Sequence, residues 1–161
     1  MRSLSLLCAA SVLALWSCGS SDTKPAGAAP VAAKKAEAPP RPADETRHMP
    51  MTDFVDSKVM DNQLMGKSFM PGGTVGHYKK GKKEWDLFLA KMPSAEAAAT
   101  TLPDWRNALQ DSKLVASYGG YFGTDNGKPM FVFSKGQWIA GVAGLNEKDA
   151  DAVARAFAAK L

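Results

Sequence analysis

Soft metal-ligating groups cluster near position 50, at His48-Met49-Pro50-Met51, with Met60, Met65 and Met70 downstream. Imidazole and thioether donors suit Cu(I), so His48, Met49 and Met51 are candidate metal ligands. Methionines also fill irregular gaps in apolar cores, and no spacing here separates the two uses. Hydrolytic chemistry has less to draw on. A nucleophile needs a base and an orienting acid beside it, and the chain holds two histidines, two cysteines and no serine elbow motif. Asp86 and Asp125 are the carboxylates that fall on sheet or loop segments, and nothing in the pattern pairs them as glycosidase chemistry requires. No catalytic residue is assigned. The stretch Tyr118-Gly119-Gly120-Tyr121-Phe122-Gly123-Thr124-Asp125-Asn126-Gly127-Lys128-Pro129 packs four glycines into nine residues. It matches neither the P-loop nor the dinucleotide fingerprint, and strand patterns on both sides leave no helix N-terminus to meet a phosphate. Bends at these glycines would display Tyr118, Tyr121 and Phe122, a candidate binding surface of aromatic rings. Finally, Lys79-Lys80-Gly81-Lys82-Lys83 gathers four positive charges at one turn. Such a tip can touch anionic polymers or simply keep a sheet edge from pairing.

The N-terminus sets where these groups work. Arg2 precedes an apolar run from about Leu4 to Trp16, too short for a membrane span, followed by small residues at a break. This is the build of a secretory signal peptide over residues 1–17. The break Leu15-Trp16-Ser17-Cys18 resembles the lipobox of bacterial lipoproteins. The resemblance implies lipidation at Cys18, a covalent palmitate-type anchor, and a place in the cell envelope. Gly19 and Ser20 lack the inner-membrane retention aspartate of the enteric sorting pattern, which implies the outer membrane, facing the periplasm. Cys8 would leave with the signal peptide, so the mature domain would carry no disulfide and no free thiol. Residues 18–47 are rich in Ala, Pro, Lys and Glu and poor in large apolar side chains. That composition predicts a disordered tether.

The remainder, residues 48–161, is enough for one core. The whole chain has a formal charge of +4, but from His48 onward 14 Lys and Arg stand against 12 Asp and Glu. No dominant basic face is implied, so nucleic acid is excluded as a partner. The segment Met49–Met70 is ambiguous, with a short helix over Phe54–Met65 as one reading. Thr74–Lys79 and Glu84–Lys91 read as a hairpin. Ser94 caps a helix carrying Ala95, Ala98, Leu102, Trp105 and Leu109 at helical spacing, and Pro103 should kink or split it. Three strands follow, over Lys113–Phe122, Pro129–Ser134 and Gln137–Gly144, with an Asn126-Gly127 turn of the type I′ kind. Asn146 caps a closing amphipathic helix from Glu147 to Lys160. The expected fold is a single α+β domain: an antiparallel sheet of about five strands with two helices packed against it, in the order ββαβββα. Longin and profilin-like folds share that order at the level of topology only.

The segments "MPGGTVGHYKKG", "YGGYFGTDNGKPMFVFSKGQWIAGVAGL" and "DADAVARAFAAKL" together resemble a bacterial family of exported domains of unknown function. The likeness covers residues 64–161 and rests on order and spacing. It implies an envelope location and one globular unit, and it brings no catalytic residues. The functional expectation is a membrane-anchored envelope lipoprotein whose domain is a non-catalytic binding or scaffolding module for an envelope protein or cell-wall component. The competing expectations are a periplasmic copper or small-ligand carrier, and then a small envelope enzyme.

Overall fold

The computed structural model describes residues 41–161. The signal peptide, Cys18 and most of the tether expected from the sequence lie outside these residues. Seven strands form one sheet: β1 (Phe54–Asn62), β2 (Pro71–Lys80), β3 (Lys83–Lys91), β4 (Gln110–Val115), β5 (Gly120–Asp125), β6 (Lys128–Lys135) and β7 (Trp138–Ala143). Helices α1 (Ala95–Ala108) and α2 (Glu147–Ala158) follow β3 and β7. The spatial order is β1-β2-β3-β7-β6-β5-β4, with every neighbouring pair antiparallel. The fold is therefore α+β, built from two meanders that meet at the β3–β7 ladder.

Side-chain alternation along the central strands puts one helix on each face. Trp85, Leu87 and Leu89 of β3, Phe131 and Phe133 of β6 and Ala140 of β7 pack with Ala150, Ala154 and Phe157 of α2. The intervening Phe88, Ala90, Met130, Val132 and Ile139 pack with Ala98, Leu102 and Trp105 of α1. A strand buried on both sides reads as a continuous apolar run, which is the pattern of "WDLFLA" and "MFVF". The helix starts are those the sequence indicates. Ser94 Oγ accepts from the Ala97 amide at 3.0 Å, and Asn146 Oδ1 accepts from the Asp149 amide at 3.0 Å.

Four expectations are corrected. The sheet has seven strands, not about five, because one expected helix is a strand and one expected strand is two. Phe54–Met65 is not a helix: Phe54–Asn62 is the edge strand β1, followed by a 3-10 turn at Leu64–Gly66. Most of β1 is exposed, so it lacks the apolar alternation by which strands announce themselves. Lys113–Phe122 is not one bent strand. Chain reversal at Ala116–Gly119, with Gly119 at φ +63, divides it into β4 and β5. Pro103 does not split α1, which runs unbroken from Ala95 to Ala108. Pro103 and Ala99 both lie on the exposed side, where water can serve the carbonyl that proline cannot.

The Asn126-Gly127 turn has φ 49 and 81, as a type I′ hairpin requires. Packing begins ahead of residue 48. Arg41 pairs with Asp61 at 3.0 Å, and the Glu45 amide donates to the buried Thr74 Oγ1 at 3.0 Å. Residues 45–50 then run over the α2 side of β2, where Met49 is 1% exposed and the Tyr78 hydroxyl donates to the Pro50 carbonyl at 2.8 Å. No helix among the described residues is long and apolar enough to cross a membrane.

Candidate functional site

The largest gathering of titratable groups lies at one end of the α1 face. His77 on β2 and Asp86 on β3 are directly opposed in the ladder, and the His77 Nδ1–H donates to Asp86 Oδ1 at 2.9 Å. The other Asp86 oxygen accepts from Lys128 Nζ at 2.5 Å. Lys128 opposes Asp125 across the β5–β6 hairpin, and Asp125 accepts from Lys67 Nζ at 2.7 Å. The result is a row of alternating basic and acidic groups, His77–Asp86–Lys128–Asp125–Lys67, laid across four strands and the β1–β2 connection. Lys67 also stands over the Trp105 ring, 5.9 Å from its centre. Burial pushes the Asp86 carboxyl up, but hydrogen bonds and charge from Lys128 and His77 outweigh it, and the net position is below the ordinary carboxylate value.

This row can orient an imidazole. With Nδ1 committed to Asp86, His77 would present Nε2 outward, the arrangement of a His–Asp dyad. No serine, threonine or cysteine is hydrogen-bonded to His77 among the described residues, and Lys128 shares the orienting carboxylate. The row ties β2, β3, β5, β6 and the β1–β2 connection together. Neither Asp86 nor Asp125 was matched to a partner by sequence. The signal that could have found them is the pairing of the strands themselves, since both neighbours are cross-strand.

The opposite end of the same strands is concave. One cleft of about 390 Å³ is lined by Pro42, Glu45, Asp61, Gly73, Leu89 and Lys91. A second and shallower hollow of about 670 Å³ lies between Phe69, Met70, Met92, Pro93 and Gln137, and shares Pro71 and Lys91 with the first. Glu45 is a 5% exposed carboxylate at the first cleft. Its Oε2 lies 3.1 Å from Arg47 and 3.6 Å from His48, close enough for ion pairing but off-line for a hydrogen bond.

The sequence-derived candidates are scattered. His48 lies tilted against Trp138 with ring centres 5.1 Å apart and donates through Nδ1 to the Lys160 carbonyl at 3.0 Å. Met49 is in the core beside Tyr78 and Trp85, whereas Met51 is 65% exposed. Met70 is also a core residue, its sulfur accepting from Trp105 Nε1 at 3.2 Å. The three metal candidates thus occupy three different environments. Among the described residues no three His, Cys, Asp or Glu side chains form a metal-sized cluster.

The aromatic candidates divide between faces. Tyr118 and Phe122 pack on the α2 side, where Tyr118 meets Phe133 at 5.3 Å and Arg155 covers its ring at 5.4 Å. Tyr121 packs on the α1 side. All three are partly buried. The glycines around them serve backbone approach: a Cβ on Gly120 would stand 2.4 Å from the Val132 carbonyl oxygen, and one on Gly123 2.8 Å from that of Gln110. The basic hairpin tip is largely neutralised, with Lys79 on Glu84 at 2.5 Å, Lys80 on Asp53 at 3.5 Å and Lys83 on Asp149 at 2.7 Å.

Fold and side chains together define an α+β domain with a helix on each face, an ion row at one end of its central strands and paired clefts at the other. No protein-family model, curated protein or solved structure matches the chain.

Proposed function

We propose that the chain is a bacterial envelope lipoprotein, anchored through Cys18, whose folded domain is a non-catalytic binding or scaffolding module. The lipobox-like leader and the likeness of residues 64–161 to exported bacterial domains support the location. The observation that carries the binding role is the pair of clefts meeting at Pro71 and Lys91, on the end of the sheet where the chain enters the domain. A partner docked there would find Pro71 and Phe69 as apolar surface and Asp61 and Lys91 as charged rim. The titratable residues of the ion row are engaged with one another and hold strands together.

Two measurements test this reading. Cys18→Ala should shift the protein from the membrane fraction to the soluble one, and a variant that stayed with the membrane would refute the anchor. A photo-crosslinking side chain at Asp61 or Lys91 should capture one defined envelope component in living cells, while the same group at Lys148 on α2 should not. Equal capture from all three positions, or none from the cleft, would refute the cleft as the binding site.

A further inference from the structure

The two edges of the sheet are unequal. Strand β4 has six residues, is bulged between Gln110 and Lys113, and holds Asp111 at φ 51. Its Lys113 is drawn to Glu147 of α2 and over the Phe122 ring. These are features that blunt an edge. Strand β1 is nine residues long, with one irregularity near its start, at Val55. From Asp56 to Asn62 its register with β2 is unbroken. Its outer side meets no other strand among the described residues.

The side chains on that edge are not mutually repelling. Asp56 and Lys58 oppose His77 and Val75, so both stand on the α1 face, two residues apart. Both are exposed, and neither joins any ion pair among the described residues, whereas most other strand lysines do. Val55 beside them is 54% exposed. An antiparallel copy of β1 related by a two-fold axis through Ser57 sets Asp56 against Lys58 twice, once on each side of the axis. It also sets Val55 against Val59. Shifting the copy by the two residues that preserve facing sides puts Asp56 against Asp56 in one direction and Lys58 against Lys58 in the other. The charge pattern therefore selects one register and penalises both neighbours.

We infer that β1 is a self-association edge, on which a second copy of this chain adds in antiparallel register about Ser57 to give a continuous fourteen-stranded sheet across the dimer. The interface is isologous, as two-fold symmetry requires. Its specificity comes from the Asp56–Lys58 pairs, and its backbone hydrogen bonds come from amide and carbonyl groups on the outer side of β1, which meet no other strand among the described residues. The inference rests on the described residues alone and is independent of the anchor, although β1 also supplies Asp61 to the first cleft.

Sedimentation equilibrium of the full-length chain in detergent tests it. The parent should show a concentration-dependent monomer–dimer equilibrium. Asp56→Lys or Lys58→Asp each replaces two attractions with two repulsions and should weaken the dimer roughly 10- to 30-fold. The double variant D56K/K58D restores opposite charges in the same register and should recover the dimer. Circular dichroism on each variant confirms that an exposed-edge change leaves the fold intact. A chain that stays monomeric at every concentration, a dimer indifferent to the single changes, or a double variant that fails to recover would each overturn the inference. So would protection of β1 from hydrogen exchange that arises only when another protein is added, which would assign the edge to a foreign strand.

Discussion

Gly141 lies on β7, the middle strand of the sheet, opposite Phe88 on one side and Val132 on the other. A Cβ added there would stand 2.2 Å from Phe88 Cζ and 2.5 Å from the Phe131 carbonyl oxygen. Ordinary carbon–carbon contact is about 3.5–4.0 Å, so the ring would have to retreat by more than an ångström. It has nowhere to go, because Phe88 is fully buried and stacks on Trp105 with centroids 5.5 Å apart. The carbonyl obstacle is backbone and belongs to the β6–β7 ladder. Overpacking in cores costs about 1–3 kcal/mol, and with one rigid ring and one backbone atom in the way, Gly141→Ala should cost about 3 kcal/mol. For a domain of this size that is a fall in Tm on the order of 10 °C. The assay is urea unfolding, read as a change in midpoint at constant slope. Phe88→Leu removes the ring edge, so the double variant G141A/F88L should lose about 1 kcal/mol less than the sum of the two single changes. An alanine variant within about 0.5 kcal/mol of the parent, or a strictly additive double, would refute the steric account.

The Asp86 carboxyl is held below its ordinary pKa, so its contribution to stability is present above the unfolded-state value of about 3.9 and is lost as pH falls through the folded value. Asp86→Asn should therefore cost about 1–2 kcal/mol at pH 7 and progressively less below about pH 4, and a cost independent of pH in urea titrations would contradict the ion row. Met49→Ala empties a 1% exposed core position and should cost about 2–5 kcal/mol, whereas Met51→Ala should fall within about 0.5 kcal/mol of the parent. Copper titration of the same variants should show no stoichiometric uptake that depends on His48, Met49 and Met51 together; such uptake would restore the three as ligands.

How much of this was legible in the sequence depends on where each segment sits. The β2–β3 hairpin, the Asn126-Gly127 turn, both helix caps and the final helix carry local signals: turn glycines, capping side chains, and apolar residues at fixed period. Those signals survive because the chemistry that produces them is local. The strand β1 carries no such signal. Its backbone is satisfied by a neighbour on one side, and its side chains are mostly solvated, so nothing in "FVDSKVMDN" demands a period of two. The glycine-rich stretch was legible as strand and turn but not in its details, because Gly119 reverses the chain while Gly120 and Gly123 permit close backbone approach, and the residue type is the same. The ion row was illegible for another reason. His77, Asp86, Lys128, Asp125 and Lys67 become neighbours only when strand order is known, and strand order is set by long-range pairing.

That strand order has a consequence for how the domain assembles. The first three strands form one ribbon and the next three another, and β7, nearly the last element in the chain, is the strand that lies between them. Until residues 138–143 are in place, the first ribbon ends at β3 and the second at β6, and each has an open inner margin as well as an open outer one. The ladders that β7 makes with β3 span about fifty residues of chain, and such non-local closure slows folding more than local pairing does. A chain cut shortly before Trp138 would accordingly keep most of its strands and lose the single piece that makes them one sheet.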